Sequence, residues 1–139
     1  MLSPTRSRHR LRNQSGAAPA FAVLAPVLFL LVMLPVQFAL WQHAEQVAEA
    51  AAQEGVAAAR VQDGSEAAGS ARADAVLEQL GRSVVTDPSV HTVRTATVAR
   101  VEVMGTAISV LPWPHFAVHG LAEGPVELEQ PVPPVRTGP

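Results

Sequence analysis

The 139-residue chain contains no cysteine, no tyrosine and no lysine. Without cysteine it can form neither disulfide bonds nor thiolate metal sites. A small domain that lacks such cross-links must be stabilised by a modest core or by partners. Aromatic residues make up only 4% of the sequence, so few of them are available to fill that core.

Charged residues are absent from one long stretch. No acidic residue and no arginine occurs between Asn13 and Ala44. Roughly 20 apolar residues suffice for a helix to cross the core of a bilayer, so this stretch is long enough. Its prolines would damage a helix in water but are tolerated in membrane helices. We therefore predict a transmembrane helix over residues 17–41, with Trp41 at the membrane interface.

The charges on either side of this stretch predict its orientation. Four arginines precede it, whereas twelve acidic residues outnumber six arginines after it. The positive-inside rule places the N-terminus in the cytoplasm and the remainder of the chain outside. Because the basic cluster belongs at the membrane, no binding to nucleic acid is expected. The orienting residues are Arg6, Arg8, Arg10 and Arg12.

Beyond the apolar stretch, the pattern of side chains predicts helices first and strands later. Small apolar residues continue at helical spacing to about Val61. A second helix is predicted over Glu66–Leu80, with Ser65 as its N-cap and Gly81 as the glycine that follows its C-terminus. The chain then changes to the alternating pattern that is typical of strands.

Three or four strands are predicted. Residues 93–103 form the first, residues 106–111 a second or its continuation, residues 115–124 a third, and residues 126–130 a short fourth. The predicted fold class is α+β: a long N-terminal helix, a short second helix and a small antiparallel β-sheet. The predicted segments are a basic cytoplasmic leader (1–16), a transmembrane helix (17–41), an extracytoplasmic helical region (42–81), a β-rich region (82–130) and a proline-rich tail (131–139).

Several short motifs in residues 14–61 match one known pattern. Residues 16–18 (Gly-Ala-Ala) and 21–22 (Phe-Ala) follow the basic leader, Pro26 lies within the apolar run, and residues 52–55 (Ala-Gln-Glu-Gly) come after it. In this order they resemble the N-terminal signature of TadE-like proteins, minor pseudopilins of the bacterial Tad (tight adherence, Flp pilus) secretion apparatus. The β-rich remainder resembles actinobacterial members. The resemblance implies a pilin-like outline and a structural role in pilus assembly or related secretion.

The resemblance also implies a processing site. At one position the sequence departs from the family pattern. Cleavage by a prepilin-type peptidase after Gly16 would make Ala17 the first residue of the mature chain. The family's glutamate aligns with Ala20. In pilin-like proteins that glutamate neutralises the N-terminal amine of a neighbouring subunit, and alanine cannot make this contact. Retention as an unprocessed anchor and removal by signal peptidase remain open alternatives.

The small residues after the membrane stretch suit close packing against another helix. The resemblance implies that the partner helices belong to other pilus-assembly subunits, and the lipid bilayer is the other predicted partner. Alternatively, this helix folds onto the chain's own β-sheet. The alternative functions are a membrane-anchored extracytoplasmic binding or adaptor protein unrelated to pili, and a small secreted domain.

The sequence pattern gives little indication of catalytic or metal-binding residues. On a strand, His115 and His119 would stand about 13 Å apart, too far to share one metal ion. Trp113 is predicted to be the main core aromatic of the β-rich region. We see no catalytic motif, so neither enzymatic activity, nor a cofactor, nor a small-molecule substrate is expected. Three acidic residues are predicted to form a solvated edge: Glu123, Glu127 and Glu129.

Overall fold

The computed structural model describes residues 17–112 and 115–127, with side chains from Ala20 onward. The predicted α+β fold class is confirmed. Two compact units divide the chain between Pro35 and Val36. The elements are α1 (Ala17–Arg60), α2 (Glu66–Val76), a π-helical turn (Leu77–Gly81), β1 (Val85–Arg94), β2 (Val98–Ala107) and β3 (Phe116–Pro125).

The first unit contributes the apolar part of α1. Its large side chains are exposed, Leu31 to 64%. By length and composition, the helical segment Ala20–Arg60 is able to cross a membrane. An exposed apolar surface that continues over several turns is typical of a segment that contacts lipid or other proteins.

In the second unit, α1 packs on the chain's own sheet. The helix buries a face of small residues, and the inner face of the sheet supplies Val101, Val103 and Val118. The alternative prediction that this helix folds onto the chain's own sheet is therefore confirmed. The face predicted to receive a partner helix is already covered. Its buried residues are Ala44, Val47, Ala48, Ala51, Ala52 and Val56.

Two glycines allow α1 and α2 to approach closely. A Cβ added at Gly69 would lie 2.9 Å from the Ala59 Cβ and 3.1 Å from the Gly55 carbonyl oxygen. Side chains at these positions would push the helices apart. The small-residue motif is therefore used for helix packing, but within the chain.

The predicted start of α2 is confirmed and its predicted end is not. Ser65 Oγ accepts a hydrogen bond from the Ala68 amide at 3.1 Å, as an N-cap should. The α-helix ends at Val76 and continues as the π-helical turn. Gly81 is not a left-handed cap, because no glycine in the described ranges has a positive φ. It is buried instead.

The sheet has the order β1-β2-β3 and is antiparallel throughout. The sequence did not predict β1, because Asp87-Pro88 resembles a turn. The pairing of β1 with β2 shifts register between Thr86 and Ser89, and Asp87 adopts a φ of 50°. Proline has no amide hydrogen to donate to the neighbouring strand. A bulge of this kind accommodates the proline, and the strand continues beyond it.

Two predicted strand limits were wrong. Residues 93–103 span a hairpin turn, in which the Thr95 amide donates to the Val98 carbonyl at 2.8 Å. Residues 106–107 continue β2 past Gly105, as the alternative prediction had it, whereas residues 108–111 lie outside any strand. The third predicted strand is confirmed as β3. Val126 and Glu127 lie outside any strand, and the rest of the predicted fourth strand is outside the described residues.

The Arg94 side chain caps the C-terminus of α1. Its Nε donates to the Ala59 carbonyl at 2.8 Å and its Nη2 to the Val61 carbonyl at 3.4 Å. A cation here satisfies carbonyls that have no helical partner and interacts favourably with the helix dipole.

We expect Arg94→Ala to lower the free energy of unfolding by about 1–2 kcal/mol, because these hydrogen bonds to a charged group are lost. Thermal unfolding of the full chain in detergent measures the effect. Arg82→Ala is the matched control, since Arg82 forms an exposed ion pair with Glu78 at 3.9 Å that contributes little. Equal shifts for the two variants would contradict the capping role.

Candidate functional site

Most of the predicted site residues lie outside the described part of the chain. These are the four orienting arginines, Gly16 of the predicted processing site, Trp113 and Glu129. Ala17 is the first residue of α1. The processing site and the orientation therefore stay predictions.

Gln37 joins α1 to the segment that follows β2. Its side chain is 1% exposed. Gln37 Nε2 donates to the Ile108 carbonyl at 3.2 Å, and its Oε1 accepts from the Val110 amide at 2.9 Å. Ser109 Oγ lies 3.1 Å from the same Oε1. One buried amide thus holds the backbone of residues 108–110 against the helix.

The sequence reasoning missed Gln37, although a signal was present. It is the one polar side chain between Ala17 and Leu40. Polar residues within apolar helical segments are rare and usually have a partner. The partner itself follows 71 residues later in the chain, which no local pattern indicates.

Trp41 lies beside this junction. Its indole Nε1 donates to the Ala117 carbonyl at 3.1 Å. The ring centroids of Phe38 and Phe116 lie 5.7 Å and 6.5 Å from that of Trp41. The polar end of the indole is therefore satisfied within the protein, while the ring belongs to an aromatic cluster.

Exposed apolar side chains surround Gln37 and Trp41. Phe38 is 59% exposed, Ile108 44% and Val110 50%. No charged residue occurs in residues 36–41 or 108–111. We call this surface the apolar rim and define it by six residues: Phe38, Trp41, Ile108, Val110, Leu111 and Phe116.

The outer face of the sheet, by contrast, carries charges. His119 Nε2 lies 2.8 Å from Glu102 Oε1, and Arg100 lies 4.0 Å from Glu123. Arg60 forms a further exposed pair with Glu127 at 3.8 Å. Within the described residues, no three His, Cys, Asp or Glu side chains are grouped so that they could hold a metal ion.

The hydrogen bond from His119 lowers the pKa of Glu102 below its ordinary value of 4.5. A carboxyl group whose pKa is lowered on folding stabilises the folded state at pH values above its unfolded pKa. That contribution is lost as the pH falls through the folded-state pKa. The pH-dependent window of this pair therefore lies below about 4.5.

We expect the carboxyl carbon of Glu102 to titrate by NMR with a midpoint below 4.5. His119→Ala should move the midpoint back towards that value. His91→Ala is the matched control, because His91 pairs with Glu102 across β1 and β2 but has a weaker, purely Coulombic influence. An unchanged midpoint in His119→Ala would refute the assigned cause.

An open groove of about 500 Å³ lies between the π-helical turn and the bulge of β1. Leu77, Val85 and Pro88 supply apolar walls, and Asp74 and Asp87 are among its polar residues. Its described lining contains no histidine and no serine.

These features define a class: a protein with an exposed apolar helical segment followed by a small α+β domain. The model of the TadE-like protein family matches residues 17–57. This match lies wholly within α1 and confirms the resemblance over that segment. No curated protein and no solved structure matches the chain.

Proposed function

We propose that the protein is a pseudopilin-type membrane protein that supports assembly of a Tad/Flp pilus or a related secretion system. It crosses the membrane once, with its N-terminus in the cytoplasm and its α+β domain outside. Its role is structural rather than enzymatic. The observation that carries the proposal is the TadE-like match to residues 17–57, within a helix whose apolar part is exposed.

The bilayer-embedded part ends near Pro35 rather than at Trp41. Gln37 and Trp41 hydrogen-bond to residues of the chain's own second unit, so one side of the helix already contacts protein there. Residues 20–35 span about 24 Å at 1.5 Å per residue. Together with the preceding helical residues, this nearly matches the roughly 30 Å apolar core of a bilayer.

Contacts with other subunits are made by the apolar part of α1. The small-residue face of the later part is buried against the chain's own sheet, whereas side chains such as Phe29 and Leu31 are exposed. Ala20 replaces the family's glutamate, so packing here depends on shape and apolar contact rather than on a buried charge pair.

The first test is the N-terminus of the mature protein, measured by intact mass on membranes from cells that contain the prepilin-type peptidase. We expect a start at Ala17, and full-length protein for a Gly16→Val variant. A start at Met1 in the unaltered chain would contradict processing. A start near Glu45 would make the apolar stretch a discarded signal and would overturn the proposal.

The second candidate is a membrane-anchored adaptor that never joins a pilus, and alanine at position 20 favours it. Photo-cross-linking separates the two. A cross-linker at Leu31 should capture Tad components, whereas one at the exposed Leu80 of the π-helical turn is the control. No capture from Leu31, with the assembly machinery present, would favour the adaptor.

A further inference from the structure

We propose that the apolar rim is a second membrane contact, by which residues 108–111 enter the headgroup region of the bilayer that α1 crosses. The inference rests on the proposed single-pass anchoring. It adds a contact that lies some seventy residues after the transmembrane segment in the chain.

The position of the rim follows from covalent continuity. Gln37 is two residues beyond Pro35, which is about 3 Å along a helix. Residues 108–110 are hydrogen-bonded to Gln37, and therefore to a residue that follows Pro35 by only two positions in the chain.

The chemistry of the rim suits the interface between lipid and water. Trp41 is a residue of the type that is enriched at this depth, and two phenylalanines add apolar surface beside it. The backbone polar groups nearby have partners within the protein: the Val110 amide bonds Gln37, and the Ile108 amide donates to the Val84 carbonyl at 2.9 Å. Entry into the headgroup region therefore leaves these groups satisfied.

The turn at the opposite end of the sheet is polar. The turn between β1 and β2 consists of Thr95, Ala96 and Thr97, with Arg94 and Arg100 close by in sequence. Ala107 and Thr97 lie ten residues apart along an extended strand, or about 33 Å. The apolar rim and this polar turn therefore lie at opposite ends of β2, and on the side of the rim Asp87 and His115 line a groove together with Ile108 and Leu111.

The proposed occupant of the rim is lipid rather than a partner protein, because Phe38 and Trp41 follow the proposed transmembrane segment directly in the chain. Exposed apolar side chains occur along α1 from Phe21 to Phe38, and Ile108 and Val110 of the rim are also exposed.

The natural absence of cysteine makes the test direct. Single cysteines are introduced in the full chain at Val110 in the rim, at Thr97 in the polar turn and at Leu31 in the apolar helix. Each is labelled with a polarity-sensitive fluorophore and reconstituted into phosphatidylethanolamine–phosphatidylglycerol vesicles. A lipid spin label near the headgroup or deep in the acyl chains then acts as quencher.

The label at position 110 should shift its emission to the blue and lose most of its fluorescence to the headgroup quencher. The label at position 31 should be quenched from within the acyl chains, and the label at position 97 should remain water-exposed. A water-exposed label at 110, with 31 quenched, would overturn the rim contact and leave the anchoring intact.

The remaining outcomes are also decisive. If the label at 31 is not quenched, membrane anchoring fails, and the rim contact fails with it. If the label at 110 is shielded from water but quenched by neither lipid, a second copy of the chain covers the rim, and the proposal that lipid covers it is refuted.

Discussion

Gly120→Ala is expected to destabilise the α+β domain by about 3 kcal/mol, near the upper end for overpacking a core. Gly120 lies in β3 directly against α1. An added Cβ would overlap the backbone of Ala48 and lie 2.6 Å from the Glu49 nitrogen. Because the obstacle is helix backbone rather than a flexible side chain, the helix and the sheet must separate.

The measurement is thermal unfolding of the full chain in detergent, followed by the β-sheet signal in circular dichroism. A loss of this size corresponds to a decrease of more than about 10 °C in Tm for a domain of this length. Gly81→Ala is the matched control, since its Cβ would lie 3.5 Å from side-chain atoms of Leu77 and Val47, an ordinary contact. Equal Tm values for the two variants would refute the close helix–sheet contact at Gly120.

Gln37→Leu is expected to release residues 108–111 from α1 and to lower the free energy of unfolding by about 2–4 kcal/mol. The reason is that the Val110 amide and the Ile108 carbonyl lose their partner, and an unsatisfied buried group costs about 1–3 kcal/mol. Leucine is similar in size, so the loss reflects hydrogen bonding rather than a cavity.

Hydrogen exchange measures this release directly. The Val110 amide should exchange much faster in the variant, while amides in the middle of β2 change little. Gln53→Leu is the matched control, because Gln53 lies exposed on α1 with a weak 3.5 Å contact to Glu49. Unchanged exchange at Val110 in Gln37→Leu would mean that the segment is held by other contacts.

The predictable parts of the fold were those governed by neighbours in sequence. The N-cap at Ser65 depends on an amide three residues away, and the apolar helix depends on its own composition. The strand β3 follows from alternation over ten residues. The limits of β1 and β2 could not be predicted, because Asp87-Pro88 has the chemistry of a turn and becomes part of a strand only through pairing with β2.

The candidate site likewise has some features that the sequence predicts and others that depend on the tertiary structure. The sequence by itself determined the apolar helix, its family resemblance and its charge asymmetry, because these depend on composition and local spacing. Only the tertiary structure decided what the small residues of α1 pack against, because alanines can pack equally well on a helix or on a sheet. In the folded chain, Gly120 of β3 lies against the α1 backbone at Ala48. The same holds for Gln37: its hydrogen-bond partners become neighbours only when the sheet packs on the helix.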